Sequence, residues 1–310
     1  MQFLFWLESI RTPVGDAFMS LITYLGDELV FLALAFSLFW CFDKYFGYYI
    51  VSAGLISTVL NQFLKLFCRV PRPWVIDPSL TTVGNSIEGA GGFSFPSGHT
   101  QNITTTFGGI AIYVRKKPLS VICCVIIALV AFSRMYLGVH TPYDVAVGFA
   151  IALILVFVQY AVIKKVKENP ARMYILLGVM ALISVAYLVY TECLPADYAS
   201  DIEGAAHNLA SGKKNAYKLL AATLAVLVCY FADDRYVHFE TKASPLAQVI
   251  KIVLGLLIVV GTKELVKIAL VALVGHDSNL IVFARYFLTV IVGCGVYPLS
   301  FPLFAKIGKK

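Results

Sequence analysis

Residues 119–138 read LSVICCVIIALVAFSRMYLG, and residues 143–163 read YDVAVGFAIALILVFVQYAVI. The only charged residue of the first run is Arg134, near its end, and the only one of the second is Asp144, at its start. Neither run repeats its polar residues at a helical or strand period, so neither has a wet face opposite a dry one. A helix of about 20 residues rises about 30 Å, which matches the hydrocarbon thickness of a bilayer. The two runs therefore predict two membrane-crossing helices joined by a short turn around His140.

Outward from this pair the pattern repeats. Further apolar blocks lie at 28–42, 46–67, 99–114, 173–194, 216–232, roughly 245–274 and 280–305. That makes about nine spans, some of them shorter than the ~20 residues a full crossing needs. Of 310 residues, 59% are apolar and 14% charged, whereas a soluble domain carries roughly 25% charged residues. Such a composition excludes a soluble protein. It also excludes disorder, which needs low hydrophobicity and high charge. The expected fold class is all-α, a polytopic membrane helix bundle without internal repeats.

The net charge of +7 does not point to nucleic acid, because no basic stripe or aromatic-interleaved motif is present. The charges cluster between apolar blocks, at Arg115–Lys117, at Lys164–Arg172 and at Lys306, Lys309 and Lys310. If the blocks alternate, these clusters share one side, which the positive-inside rule makes cytoplasmic. Lys213 and Lys214 run against the trend. The loop at 68–98 and the turn at 138–142 then face outward, as expected for a bacterial plasma-membrane protein with an extracytoplasmic site. The seven cysteines fall mostly inside apolar blocks, without zinc-site or disulfide spacing. The N-terminal MQFLFWLESIR, interrupted by Glu8 and with no basic residue before Arg11, is a poor signal peptide. It reads instead as an amphipathic or partly inserted segment that stays on the protein.

Three outward segments hold the chemistry: Lys65 to Pro73 (KLFCRVPRP), Pro96 to His99 (PSGH) and Ser133 to Asp144 (SRMYLGVHTPYD). Taken singly, each has an ordinary structural reading. Lys65, Arg72 and Arg134 are interface cations that snorkel to water. Ser97 is a helix N-cap. Thr141, Pro142 and Asp144 together make a good helix start with a capping box. Taken together they supply what phosphoryl transfer needs. Three cations and two helix N-termini can hold an anion. Two histidines offer a nucleophile and a proton donor, and the carboxylate four residues after His140 can fix one imidazole nitrogen and leave the other free to attack.

The series Lys65-x6-Arg72-Pro73, Pro96-Ser97-Gly98-His99 and Ser133-Arg134-x5-His140-x3-Asp144 resembles the three-part signature of the type 2 phosphatidic acid phosphatase superfamily. That group spans lipid phosphate phosphatases, undecaprenyl-diphosphate phosphatases and glucose-6-phosphatase. The resemblance covers residues 65–144, with flanking spans to about 165. It implies that His140 is the nucleophile that forms a phosphohistidine and that Asp144 orients it. His99 would protonate the leaving group, while Lys65, Arg72, Arg134, Ser97 and the Gly98 backbone hold the phosphoryl oxygens. It implies neither metal nor cofactor, and the sequence has no acidic cluster fit for a two-metal site.

The resemblance further implies a six-helix phosphatase core. Residues 1–168 would form that core together with the N-terminal segment, and residues 169–310 an additional transmembrane region. Lys263, Glu264 and Lys267 in the added region read equally as functional intramembrane charges or as a paired set on one helix face. The expected function is hydrolysis of a lipid phosphomonoester or diphosphate, with a membrane lipid as partner. A soluble-sugar phosphatase of the glucose-6-phosphatase type and a transporter for phosphorylated lipid are the alternatives. Loop 74–95, rich in glycine and poor in polyol donors, favours the lipid.

Overall fold

The computed structural model describes residues 1–87 and 89–307, so Lys309 and Lys310 of the terminal basic cluster lie outside the described residues. Among the described residues there are helices and loops and no strand. The helices are α1 (Gln2–Ser9), α2 (Pro13–Thr23), α3 (Glu28–Cys41), α4 (Lys44–Cys68), α5 (Pro73–Ile76), α6 (Gly98–Ile103) and α7 (Gly109–Val114). After them come α8 (Lys117–Tyr136), α9 (Pro142–Glu168), α10 (Arg172–Cys193), α11 (Ala205–Ala232), α12 (Pro245–Val274), α13 (Asn279–Val290) and α14 (Phe301–Phe304).

Six of the described helical runs are long and apolar enough to cross a membrane, or up to seven if the bent pair Pro13–Gly26 and Glu28–Cys41 makes one broken span. The sequence suggested about nine. Helix length accounts for much of the difference. The block at 28–42 forms a helix of 14 residues, about 21 Å long and short of the ~30 Å core. The block at 99–114 is α6 and α7 joined by a π-helical turn over Thr104–Gly108, again shorter than a full crossing.

The chain clusters into two compact units. One comprises Met1–Phe31, Ile56–Ala161 and Tyr190–Gly212, and it contains all three motif segments. In it α1 buries Leu4 and Leu7 against Leu80, while Phe3 and Trp6 face outward. Arg11 follows and donates to the carbonyls of Tyr136 (3.0 Å) and Thr81 (2.8 Å). Thr12 caps α2 through Gly15 N, with Pro13 in the first turn. The close turn after α8 uses Gly138 at φ +78°, where a Cβ would lie 2.9 Å from the Thr81 carbonyl.

The second unit comprises Leu32–Leu55, Val162–Val189 and Lys213–Lys310. Trp40 donates to the Gly293 carbonyl at 2.9 Å, and Gly255 lies so close that a Cβ would come within 2.4 Å of the Trp40 ring. Buried Asp233 pairs with Lys44, and Asp43 with Lys167, each at 2.8 Å. Lys263 and Glu264 of α12 are also partnered, though not only along their own helix. Glu264 accepts from Arg285 of α13 at 2.7 Å, with Lys263 at 3.9 Å.

Candidate active site

Lys65 lies one turn before the end of α4, and Arg72 four residues past that end. Both are buried. Their donors are caught by the carbonyls of the glycine-rich loop. Lys65 Nζ donates to Phe93 O, while Arg72 donates to Gly91 O at 2.7 Å and Gly92 O at 3.0 Å. Gly92 has φ +73° and sits 3.6 Å from Lys65 Cδ, measured from where a Cβ would stand. The loop's glycines thus let backbone carbonyls close around two cations, a job not evident from composition.

Arg134, in the last turn of α8, is 2% exposed. Its Nη1 donates to Thr23 Oγ1 at 2.7 Å, but its Nε and Nη2 are buried without a hydrogen-bond partner. Buried donors in a native fold are normally satisfied, so two on one guanidinium mark a place for an acceptor. The Arg134 carbonyl accepts the N–H groups of Val139 and His140, each at 3.2 Å, and so folds the turn that presents His140.

His140 is 1% exposed. Its Nε2 lies 2.9 Å from Arg72 Nη1. A guanidinium only donates, so Nε2 must be the acceptor and the ring proton belongs on Nδ1. Nδ1 faces Asp144 Oδ2 at 3.4 Å, longer than a good hydrogen bond. That carboxylate oxygen already accepts from Ser94 Oγ and Thr141 N, both at 2.7 Å. Thr141 Oγ1 returns a bond from Asp144 N at 3.3 Å, so Asp144 completes a capping box and faces the imidazole at once.

His99 occupies the first turn of α6 and is half-buried. Ser97 caps this helix by accepting from Thr100 N, and its own N–H donates to Asp144 O at 2.9 Å. The two histidine-bearing turns are thereby joined backbone to backbone. Gly148 of α9 makes the approach possible, since a Cβ there would stand 2.7 Å from Ser97 O. Gly98 packs over Asn61, whose amide donates to Pro96 O at 3.1 Å. Both histidines lie in turns outside the spans. Burial, then repulsion from Arg72, Arg134 and Lys65, holds His140 well below its ordinary pKa. For His99 the order is burial, Arg134, Arg72 and Lys65, in the same direction.

The eight residues that the family resemblance assigns to the site thus lie in one unit and one constellation. Sequence reasoning missed Ser94, Thr23 and Asn61, which hold Asp144, Arg134 and the Pro96 turn. It also missed Tyr198, which lies far beyond the motifs. Tyr198 Oη donates to Leu66 O, a carbonyl of the last α4 turn, and Arg69 stacks over its ring at 5.4 Å. Tyr190 meets Phe63 edge-on at 5.1 Å. Phe63, Leu66 and Arg69 recur every three residues, so the 190–212 segment braces one face of the helix end that presents Lys65. Tyr198→Phe is expected to raise KM about threefold to tenfold with kcat little changed, since it removes one hydrogen bond behind the candidate phosphate-binding Lys65. Steady-state kinetics check this.

Residues 44–168 match the family model of the PAP2 superfamily, and 217–309 match that of the PAP2 superfamily phosphatase, transmembrane extension. Phosphatidylglycerophosphatase B of Bacillus subtilis is 30% identical over 170 residues, covering 51% of this chain and 80% of that protein. Lipid A 4'-phosphatase of Bacteroides thetaiotaomicron is 30% identical over 164 residues, covering 47% of this chain and 69% of that protein. The crystal structure of a transmembrane PAP2 type phosphatidylglycerolphosphate phosphatase from Bacillus subtilis aligns with a TM-score of 0.47 at 27% identity, over 54% of this chain and 85% of that one.

Proposed function

This chain belongs to the PAP2 superfamily and is an integral membrane lipid phosphatase, and from that premise we propose a metal-independent hydrolysis through a phosphohistidine on the outer membrane face. Its substrate is a lipid phosphomonoester or diphosphate, of the phosphatidic acid or undecaprenyl diphosphate type. The observation that carries the reading is the pair of buried, unpartnered Arg134 donors, set within electrostatic range of both histidines.

In the first step the phosphoryl oxygens take up the donors of Lys65, Arg72 and Arg134, with the Ser97 hydroxyl and the Gly98 backbone. Arg72 turns from His140 Nε2 to the anion, which exposes the nitrogen lone pair. Nε2 attacks phosphorus, the bond to the leaving oxygen breaks, and His99 gives that oxygen its proton. The Nδ1 proton and Asp144 balance the charge that develops on the ring. Water then attacks phosphorus, His99 takes its proton, and the N–P bond breaks to release phosphate and free His140. Residues 1–168 carry this chemistry, and residues 169–310 serve access, stability or assembly.

Two measurements test the proposal. Phosphate release by purified protein should be much faster from long-chain phosphatidate or polyprenyl diphosphate in mixed micelles than from glucose 6-phosphate at equal bulk concentration. A lipid anchor raises the local concentration at a site near the membrane surface, and the cations read only the phosphoryl group. Equal or faster release from the sugar phosphate would replace the lipid reading, and binding without release would make the protein a carrier. For sidedness, a single cysteine at exposed Asn85, in a background without native cysteines, should react with an impermeant thiol reagent in intact cells. One at exposed Asn169 should react only after permeabilisation. The reverse pattern puts the reaction in the cytoplasm.

A further inference from the structure

Three helical segments that meet at the candidate site come together again at their other ends. The run that opens at Gly98, beside His99, finishes at Val114. Helix α8 carries Arg134 in its last turn and starts at Lys117. Helix α9 has Asp144 in its first turn and Tyr160 further on. Lys117 to Arg134 is a rise of about 26 Å, nearly the hydrocarbon thickness of a bilayer. The far ends of these helices therefore border the leaflet opposite the catalytic site.

An open cleft of about 500 Å³ lies there. Its floor is apolar, with Ile112, Val121 and Phe157, and its rim carries Arg115, Lys117 and Ser120. Val121 and Phe157 are well exposed. Arg115 stands in the left-handed backbone region, φ 57°, with its guanidinium 5.1 Å from the Tyr160 ring centroid. From Gly89 to Lys167 the chain contains one acidic residue, Asp144, which belongs to the catalytic end. The rim cations thus have no carboxylate from their own helices.

We infer that this cleft binds one anionic glycerophospholipid of the leaflet opposite the active site, with its phosphate between Arg115 and Lys117 and an acyl chain along Val121 and Phe157. Basic pockets between membrane helices suit acidic headgroups. A zwitterionic lipid brings its own cation to the same rim, and free phosphate leaves the apolar floor uncovered. Under the orientation proposed above, this leaflet is the cytoplasmic one, whose surface potential is negative.

The test uses the purified full-length protein with vanadate present to occupy the catalytic pocket. Dioleoyl phosphatidylglycerol, dioleoyl phosphatidylcholine or inorganic phosphate is titrated in detergent, and bound molecules are counted by native mass spectrometry. Phosphatidylglycerol should be retained about tenfold better than phosphatidylcholine. Arg115→Gln with Lys117→Gln should weaken its binding roughly twentyfold, each basic residue near a membrane surface being worth about fivefold. Lys242→Gln with Lys306→Gln removes as much charge elsewhere and should change nothing. Phe157→Ala keeps every charge, and severalfold weaker lipid binding in it supports the acyl contact even if the double variant does not assemble. Phosphate release without vanadate should stay within twofold in the cleft variants. Equal retention of the two lipids, equal loss in both double variants, or binding of inorganic phosphate that matches the lipid and ignores Phe157→Ala overturns the inference.

Discussion

His140→Ala is expected to abolish turnover of every phosphorylated substrate, with a loss on the order of 10⁴-fold or more, if it removes the proposed nucleophile from a set of residues that act together. Radiolabelled lipid phosphate, quenched within the first turnover, leaves an acid-labile, alkali-stable phosphoryl adduct on the wild-type chain and none on the variant. Asp144→Asn retains the capping geometry but cannot balance the ring charge, and it slows formation of the adduct by about 10²-fold or more. Ser94→Ala, which loosens Asp144 by removing one hydrogen bond, costs about threefold to tenfold. A well-folded His140→Ala protein that still forms the adduct would falsify the assignment of the nucleophile.

His99→Ala separates the acid from the nucleophile. With a lipid phosphate, whose leaving alkoxide needs a proton, turnover falls about 10² to 10⁴-fold. With p-nitrophenyl phosphate, whose leaving group is stable as an anion, adduct formation is nearly unaffected. The adduct then accumulates, because the water that should remove it has lost its base. The pH dependence carries a second signature. Burial and the nearby cations hold His99 well below its usual pKa in the free enzyme, so it is mostly neutral at pH 7. Bound phosphate neutralises those cations, and the pKa in the complex rises. The alkaline limb of kcat therefore lies at higher pH than that of kcat/KM, since the first reports the complex and the second the free enzyme. Coincident limbs, or adduct formation slowed equally with both substrates in His99→Ala, would remove His99 from the acid role. The same depression lowers fold stability in acid. Stability is fully present above the unfolded histidine pKa of about 6.5, and it declines as pH falls below that value toward the depressed folded one.

The candidate site was legible in the sequence because phosphoryl transfer, the chemistry proposed for it, restricts both residue type and spacing. Few chemistries besides it call for cations, imidazoles and one carboxylate at fixed offsets beside membrane spans. Ser94, Thr23 and Asn61 carry no such signal. Each is a common polar residue whose partner, Asp144, Arg134 or Pro96, is 35 or more residues away. The glycine loop could be read as an entrance, but its observed use is to aim carbonyls at Lys65 and Arg72. The all-helical membrane fold followed from the long apolar runs. Apolarity says little about length in space, however, so a helix of 14 residues at 28–41 was as convincing a span as one of 27 at 142–168.

The unit that holds the candidate catalytic residues is discontinuous in sequence, closing only with Tyr190–Gly212. During synthesis, all three motif segments leave the ribosome before Tyr198 does. A nascent chain that has reached the end of α9 has every reactive group, but the Leu66 carbonyl at the end of α4 still lacks its partner. Contacts of such long sequence separation form late. Arrested nascent chains inserted into membranes should therefore gain full affinity for phosphate only after residue 212 emerges. On that expectation, the order of synthesis sets when the helix end that presents Lys65 gains its brace, well after the reactive groups have been made.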